Sequence, residues 1–306
     1  MTTEKNSVSP LSSQFVLLMA MACGLCAGSA YFNQPLIYSI EESLGITTSQ
    51  AGLTVVIAQI GYVLGLMLLV PLGDFLNKRK LVVSLMVFAA ISQILLSFST
   101  TLSTLYVFTL CATFGAISAQ VLIPFASTIS PPESSATIVG KLMSGLVMGI
   151  ILSRTFAGFV STYWSWEGVY FSSGIITLLF ATLMWKKLPD TQPQAGLTIG
   201  SIYRSLFVIA KQNPHLIRRA CAGALGFGIL SMVFTSMTFV LGSAPYHFTD
   251  FEIGLFGLLG IIGIYSSSWL GKTVGQGREN LVAKLCIALM LSSTLPLYFA
   301  QQNIVI

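Results

Sequence analysis

The sequence predicts an all-α fold, a polytopic bundle of transmembrane helices, on three observations. Of its 306 residues, 54% are hydrophobic and 8% are charged, against about 25% charged in an ordinary soluble domain. The mean hydropathy is +0.83. Nine apolar runs reach the length of about 20 residues that a helix needs to cross a bilayer. A soluble globular protein and a disordered chain are therefore both excluded.

The apolar runs predict helices rather than strands. Strands cross a membrane only in a closed barrel with alternating polarity, and these runs do not alternate. Lipid requires every backbone polar group to be paired internally, which a helix achieves within its own segment. The runs cover residues 15–38, 50–72, 81–99, 104–127, 138–160, 168–186, 218–241, 252–272 and 282–300.

Basic side chains predict the orientation, because cytoplasmic loops carry an excess of Lys and Arg. When the connections are numbered alternately, 14 of the 15 basic residues fall on one side and none falls on the other. The fifteenth, Arg154, lies within a span. We expect a bacterial inner-membrane protein with a cytoplasmic N-terminus and with Ile306 outside. The 15 basic residues form no patch, so nucleic acid is not an expected partner.

One connection, residues 187–217, is long, and it divides the chain into a six-span half at 1–186 and a three-span part at 218–306. Within it, Ile199, Ile202, Leu206 and Ile209 recur at steps of 3, 4 and 3 residues. That spacing predicts an amphipathic helix on the cytoplasmic membrane surface. The alternative is a polar linker with accidental spacing.

The loop between the second and third spans carries a charged motif. It runs from Val70 to Lys80, and Asp74, Lys78 and Arg79 match the signature G-x-x-x-D-R-x-G-R-R/K. With these residues the chain resembles the major facilitator superfamily, in particular its twelve-helix drug/proton antiporter-like branch. The departures from the signature are Val70, Phe75 and Asn77, which replace its first Gly, its Arg and its second Gly.

The resemblance implies a gating role for this loop. In the family the Asp latches the two halves together on the cytoplasmic side, and we carry that role to Asp74, with Lys78 and Arg79 beside it. A carboxylate is stabilised near a helix N-terminus, so such a contact favours one of the two arrangements that alternating access requires. The alternative is an ordinary cytoplasmic basic cluster beside a chance Asp.

The fifth span carries a row of small residues. Gly145, Gly149, Ser153, Ala157 and Ser161 recur every four residues, which predicts a ridge where another helix approaches closely. The alternative is a set of small lipid-facing residues. This span also resembles the antiporter motif G-x8-G-x3-G-P-x2-G-G, with matching glycines at 140, 149 and 158, and the resemblance implies that the eighth span is the partner of the ridge.

Arg154 stands where that motif has its proline, well inside the fifth span. A charged side chain there costs at least about 2.5–3.5 kcal/mol, so a compensating contact is expected. Three interpretations stay open. Arg154 binds an anionic group of a substrate, or it holds the bundle together through polar groups of neighbouring helices, or it snorkels towards the membrane surface.

Few other polar groups interrupt the spans. Asn33 and Gln34 precede Pro35 in the first span, and Gln120 precedes Pro124 in the fourth. In the family these two spans line the central cavity, so the resemblance makes Asn33, Gln34 and Gln120 cavity candidates. The alternative for each is a helix–helix hydrogen bond. No Asp or Glu lies in mid-span, so proton coupling is implied by the resemblance alone.

These observations predict a secondary transporter that exports a small solute across the lipid bilayer, with protons as the coupling ion that the resemblance implies. No span holds a metal pair, an activated nucleophile or a carboxylate dyad, so we expect no enzyme, cofactor or metal site, and we expect a monomer. The family has two six-helix halves, and six spans plus three predict a second half truncated after the ninth span. The alternative is a remnant that inserts without transporting.

Overall fold

The computed structural model describes residues 11–74, 76–191, 199–261, 281, 284–289 and 291–292. The side chains of Asp74 and Ile199 lie outside this description. The all-α prediction is confirmed for this part of the chain, which contains eleven α-helices and no strand. The helices are α1 (Ser13–Ser29), α2 (Ile37–Leu44), α3 (Thr48–Leu68), α4 (Lys78–Leu96), α5 (Leu102–Ala116), α6 (Ser118–Thr128), α7 (Pro132–Tyr163), α8 (Trp166–Lys187), α9 (Ile199–Gln212), α10 (Pro214–Gly242) and α11 (Asp250–Leu255).

The second to seventh apolar runs correspond to helical segments long and apolar enough to cross a membrane, six in the part that the structure describes. The first run is divided into α1 and α2, and the fourth into α5 and α6. The eighth run is described only over its first residues, in α11 and the 3₁₀ turn that follows it. Most of the eighth and ninth runs therefore lies outside the described residues.

Side chains from the first six spans form two apolar clusters, one towards each end of the bundle. One cluster includes Phe15 of α1, Leu81 of α4 and Met184 of α8. The other includes Ile40 of α2 and Trp166 of α8. Each of the two clusters draws on several spans, so burial of apolar surface holds these helices together.

Four of the helices on the predicted external side begin with a hydroxyl cap. Thr47, Thr101 and Thr249 each accept a hydrogen bond from the backbone three residues on, and each forms a capping box. Ser165 caps α8 in the same way through Gly168. These caps satisfy N–H groups that the first helical turn leaves free, and they fix where each span starts.

Residues 1–258 form one compact unit, and residues 259–306 form a second, in which residues 284–289 are helical. The helix predicted in the long connection is confirmed as α9. Its position on the membrane surface and the division of the chain at 187–217 stay predictions.

Candidate functional site

The break in the first span places two amides inside the bundle. Pro35 has no N–H and its ring excludes a helical turn before it, and residues 30–36 form turns between α1 and α2. Asn33 and Gln34 lie in this break and are both buried. Because the local backbone is not helical, the break presents these polar side chains at the middle of an otherwise apolar run.

Arg154 lies on α7 opposite this break, with only 6% of its surface exposed. Its Nε donates to Oε1 of Gln34 at 2.8 Å, and its Nη1 donates to the carbonyl oxygen of Ile150 at 2.9 Å. Both acceptors are neutral, so these hydrogen bonds stabilise the guanidinium but supply no counter-charge. The enclosed position contradicts the snorkelling interpretation, since the guanidinium is bonded inside the bundle.

Two aromatic rings cover the guanidinium. Its Cζ lies 5.1 Å from the ring centre of Tyr31, in the break of the first span, and 4.1 Å from that of Phe234 on α10. Ring faces attract a cation electrostatically, by about 2 kcal/mol or more when water is excluded. Sequence reasoning missed this pairing, because Tyr31 and Phe234 are two of many aromatic residues in apolar runs.

A small void adjoins Arg154. Its volume is about 10 Å³, and its lining includes Gln34 and Arg154 from the first six spans and Phe234, Thr238 and Ile253 from α10 and α11. This is about the space of one water molecule. The structure is therefore closed around the guanidinium, and a larger molecule reaches it only when these elements separate.

Both amides of the break in the first span have a donor that is unpaired in the described part of the chain. Nε2 of Gln34 and Nδ2 of Asn33 are buried and have no hydrogen-bond partner among the described residues. The amide of Gln34 cannot turn over to satisfy Nε2, because its oxygen accepts from Arg154. Gln120 lies elsewhere, where its Nε2 donates to the hydroxyl of Tyr62 on α3 at 3.2 Å. Of the three predicted cavity amides, Gln34 alone contacts Arg154 among the described contacts.

The small residues of α7 pack against α1. A Cβ added to Gly149 would lie 2.2 Å from Gly24, and one added to Gly145 would lie 2.5 Å from the carbonyl oxygen of Ala20. Ser153 lies against Gly28 in the same row. Gly145, Gly149 and Ser153 thus face α1, whereas Ser161 of the same row contacts Asp250 at the start of the eighth span.

A neighbouring surface of α7 faces α11 instead. A Cβ on Gly158 would lie 2.2 Å from the carbonyl oxygen of Asp250, so the two backbones touch. The hydroxyl of Thr155 donates to the carbonyl oxygen of Gly254 at 3.0 Å. The backbone N–H of Phe251 donates to the hydroxyl of Thr162 at 3.2 Å. The contact of the eighth span with α7 is thus close and partly polar.

The loop between α3 and α4 is held by the end of α8. Asn77 donates to the carboxylate of Asp190, and the backbone N–H of Lys78 donates to Thr191 at 3.2 Å. Arg79 lies 4.5 Å above the ring centre of Trp185. The hydrogen bond from Asn77, helped by the charges of Arg79 and Lys80, lowers the pKa of Asp190. The gating role of Asp74, Lys78 and Arg79 stays a prediction, because the side chain of Asp74 lies outside the described residues.

The described side chains include no group of three or more His, Cys, Asp or Glu residues arranged to hold a metal ion. What the geometry defines is a multi-pass helical membrane protein with a buried cationic site enclosed by several spans. Residues 18–306 match the sequence profile of the Major Facilitator Superfamily. The chain belongs to this superfamily, and it is accordingly an integral membrane transport protein rather than an enzyme.

Curated relatives are described in similar terms. The chain is 33% identical over 294 residues to a protein of Escherichia coli O157:H7 named "Uncharacterized transporter YgaY", and the match covers 96% of this chain and 75% of that protein. It is 26% identical over 289 residues to "Probable transporter SCO4007" of Streptomyces coelicolor, with 93% of this chain and 66% of that protein covered.

A solved structure supports the fold. The chain is similar to the inward-facing, occupied form of a bacterial homologue of the human lysosomal transporter Spinster, with a TM-score of 0.67 and 15% identity. The similarity covers 88% of this chain, and the chain spans 62% of that protein's length. At this identity the likeness extends to the fold alone.

Proposed function

We propose that the protein is a secondary active transporter of the antiporter-like branch that exports a small solute carrying an anionic group, with Arg154 in the substrate site. One observation supports this most directly: a buried guanidinium that lies beside a void and whose hydrogen bonds, within the part of the chain that the structure describes, go to neutral oxygens only. A buried charge without a counter-charge is costly. An anionic ligand would remove that cost each time it binds.

The donors around the void favour an acceptor-rich ligand. Arg154 carries five N–H donors. One on Nε and one on Nη1 form the two hydrogen bonds described above. Nε2 of Gln34 is a further donor without an acceptor. A carboxylate matches such a set, because it accepts several hydrogen bonds and meets a guanidinium side by side. Asn33 and Gln120 are proposed as cavity residues further from the charge.

Alternating access explains how a ligand reaches so small a void. The elements around it come from the first six spans and from α10 and α11. In transporters of this kind, access changes when one bundle rocks against the other around a central site. We propose that the loop of Asp74, Lys78 and Arg79 closes the cytoplasmic side, and that the contact of α7 with α11 closes the other.

The substrate role of Arg154 is tested by Arg154→Gln and Arg154→Lys in purified protein and in vesicles, with a panel of radiolabelled mono- and dicarboxylates as probes. We expect both variants to accumulate normally and to lose at least about tenfold in affinity, because Lys lacks the planar fork of the guanidinium. The matched control is Lys141→Gln, which removes an exposed basic residue from the same helix and should bind as the parent does.

Three outcomes contradict this proposal. Failure of Arg154→Gln to accumulate would show that Arg154 holds the bundle together through Gln34. Unchanged binding would remove Arg154 from the site. An absence of binding and uptake in the parent protein would favour the alternative, a membrane-inserted protein that does not transport.

The direction of transport requires the proposed orientation, with a cytoplasmic N-terminus. We expect a cysteine at position 45 to react with a membrane-impermeant thiol reagent added outside intact cells, and one at position 77 to react only after the cells are opened. The two positions lie on opposite sides of the second span. The reverse pattern would contradict the orientation and with it the proposed export.

A further inference from the structure

Asp250 is a buried carboxylate at the first turn of α11, with 8% of its surface exposed. Its Oδ2 accepts hydrogen bonds from the hydroxyls of Ser39 on α2 and Ser161 on α7, the latter at 2.6 Å. These two helices belong to the first six spans, whereas α11 begins the eighth. A single carboxylate oxygen therefore joins three helix ends on the predicted external side.

Oδ2 of Asp250 and the hydroxyl oxygens of Ser39 and Ser161 contact one another, and this cluster can bind one more proton. Besides their contacts with Oδ2, the hydroxyls of Ser161 and Ser39 lie 3.3 Å apart. Two hydroxyl groups supply two protons for three oxygen–oxygen contacts. The third contact becomes a hydrogen bond only when the carboxyl group itself is protonated. The neutral acid completes the cluster, but the two hydroxyl donors also stabilise the carboxylate, so it is burial that favours the proton at Asp250.

The charged groups nearby are bonded to other residues. On α2, Glu41 accepts from Thr48 at 2.8 Å, and on α8, Glu167 accepts from Ser43 at 3.2 Å. On α11 itself, Glu252 accepts from Thr249 at 2.8 Å. Neither α10 near its end nor α7 beyond Arg154 carries an acid or a base other than Tyr163, and Arg154 donates to Gln34 and Ile150. Towards the predicted external side these elements and their connections also carry Tyr38, Glu42, Tyr170, Tyr246 and His247, and Glu42 lines one cavity together with Ser39 and Ser161.

We propose that Asp250 is a proton-binding site and that its protonation holds the external ends of α2, α7 and α11 together. Among the described contacts Asp250 has no cationic partner, and burial without one disfavours the ionised carboxyl group. When the external side opens, water reaches Asp250 and stabilises its charge. The closed arrangement consequently binds the proton more tightly than the open one, and by linkage acidic pH favours external closure while rising pH releases it.

This inference rests on the alternating access of the proposed function, but it does not require Arg154 to bind a substrate. The proton here controls which side of the protein is open. The sequence places Asp250 beside Glu252 at a helix start, where acidic residues are common. Its burial and its hydrogen bonds from Ser39 and Ser161 distinguish it from its exposed neighbour Glu252.

External accessibility of a cysteine introduced at position 253 tests the proposal. Ile253 lies one helical turn beyond Asp250, is 3% exposed and lines the void beside Arg154. Ile253→Cys, in a chain whose native cysteines are replaced by alanine, reacts with an external impermeant reagent only when the external side opens. The labelling rate of Ile253→Cys is divided by the labelling rate of Ser103→Cys, at an exposed position on the predicted external side. This normalisation corrects for the effect of pH on the reactivity of a thiol.

We expect the normalised rate to rise about tenfold between pH 5 and pH 8.5, a window above the value of about 3.9 for a free Asp carboxyl group. Adding Asp250→Asn, which mimics the neutral acid, should give the slow rate at every pH. Glu252→Gln, two residues away and exposed, is the matched control and should keep the full pH dependence. Ser161→Ala removes one donor to the carboxylate and should move the midpoint to higher pH.

Two results overturn the proposal, and they are distinguishable. The first result is a measurable normalised rate that does not depend on pH in the parent, or that depends on pH equally in Asp250→Asn. Either finding would exclude Asp250 as the proton site and would leave the proposed transport function unaffected. The second result is that the Ile253→Cys protein does not react at any pH while the Ser103→Cys reference reacts normally. The external side would then never open, which contradicts alternating access itself.

Discussion

Two surfaces of the same helix, α7, differ in how they are built. The α1-facing ridge, formed by Gly145, Gly149 and Ser153, brings two backbones into contact with few side-chain atoms between them. The α11-facing surface also has a backbone contact, at Gly158, but hydrogen bonds surround it, from Thr155 to Gly254 and from Ser161 to Asp250.

This difference indicates which of the two contacts of α7 persists throughout the transport cycle. Close apolar packing loses its contacts at once when a gap opens, because dispersion falls steeply with distance. Hydroxyl and carboxyl groups lose less on separation, since water replaces their partners. We therefore expect α7 to stay fixed to α1 throughout the transport cycle and to separate from α11.

The largest effect is expected from Gly149→Leu on the α1-facing ridge. Its side chain would enter the backbone of Gly24, so we expect a loss of at least about 3 kcal/mol of stability or a failure to accumulate. The measurement is protein level together with the folded fraction after heating in detergent. The control is Ile150→Leu, which conserves volume and should cost less than about 1.5 kcal/mol. Equal behaviour of the two variants would contradict the permanent contact.

An intermediate effect is expected from Gly158→Ala on the α11-facing surface. The added Cβ meets the backbone at Asp250, so α11 must move while α7 stays fixed to α1. Stability should change by about 1 kcal/mol or less, whereas external labelling of the Ile253→Cys thiol should increase severalfold. The control is Gly140→Ala, where an added Cβ meets nothing within 4 Å. A strongly destabilised Gly158→Ala protein with unchanged labelling would show that both surfaces are permanent.

The smallest effect is expected from Ser153→Ala, also on the ridge. The hydroxyl of Ser153 donates to the carbonyl oxygen of Ile150 within its own helix, at 2.8 Å. Its removal should cost at most about 1 kcal/mol and should leave labelling of the Ile253→Cys thiol unchanged at every pH. A pH response altered by Ser153→Ala would mean that the two surfaces are coupled, and the comparison would lose its basis.

The general architecture was predictable because lipid permits few alternatives. Long apolar runs must form helices, and the spans described in the structure begin and end within a few residues of the runs. The amphipathic spacing of Ile202, Leu206 and Ile209 likewise identified α9. These are local properties of the chain, and each can be predicted from consecutive residues.

The site was only partly predictable, because its contacts join residues far apart in sequence. A charge at Arg154 within an apolar run indicated a buried polar contact, but not that Gln34, 120 residues away, would provide it. The repeat of small residues predicted a close approach with the eighth span, but not that Gly145, Gly149 and Ser153 would lie against α1 while Ser161 contacts the eighth span. Asp250 was missed because a carboxylate in the first turn of a helix is typical of an exposed helix start.

The two rings over Arg154 bear on the speed of transport. Tyr31 belongs to the first six spans and Phe234 to α10. When the protein opens, the ring of Phe234 would move away from the guanidinium of Arg154 and water would take its place. A charge solvated in only one conformation would bias the equilibrium by several kcal/mol. The ring electrons stabilise the guanidinium by about 2 kcal/mol or more when the protein is closed, which offsets part of that bias. The two conformations can then remain comparable in energy, a condition for rapid turnover between them.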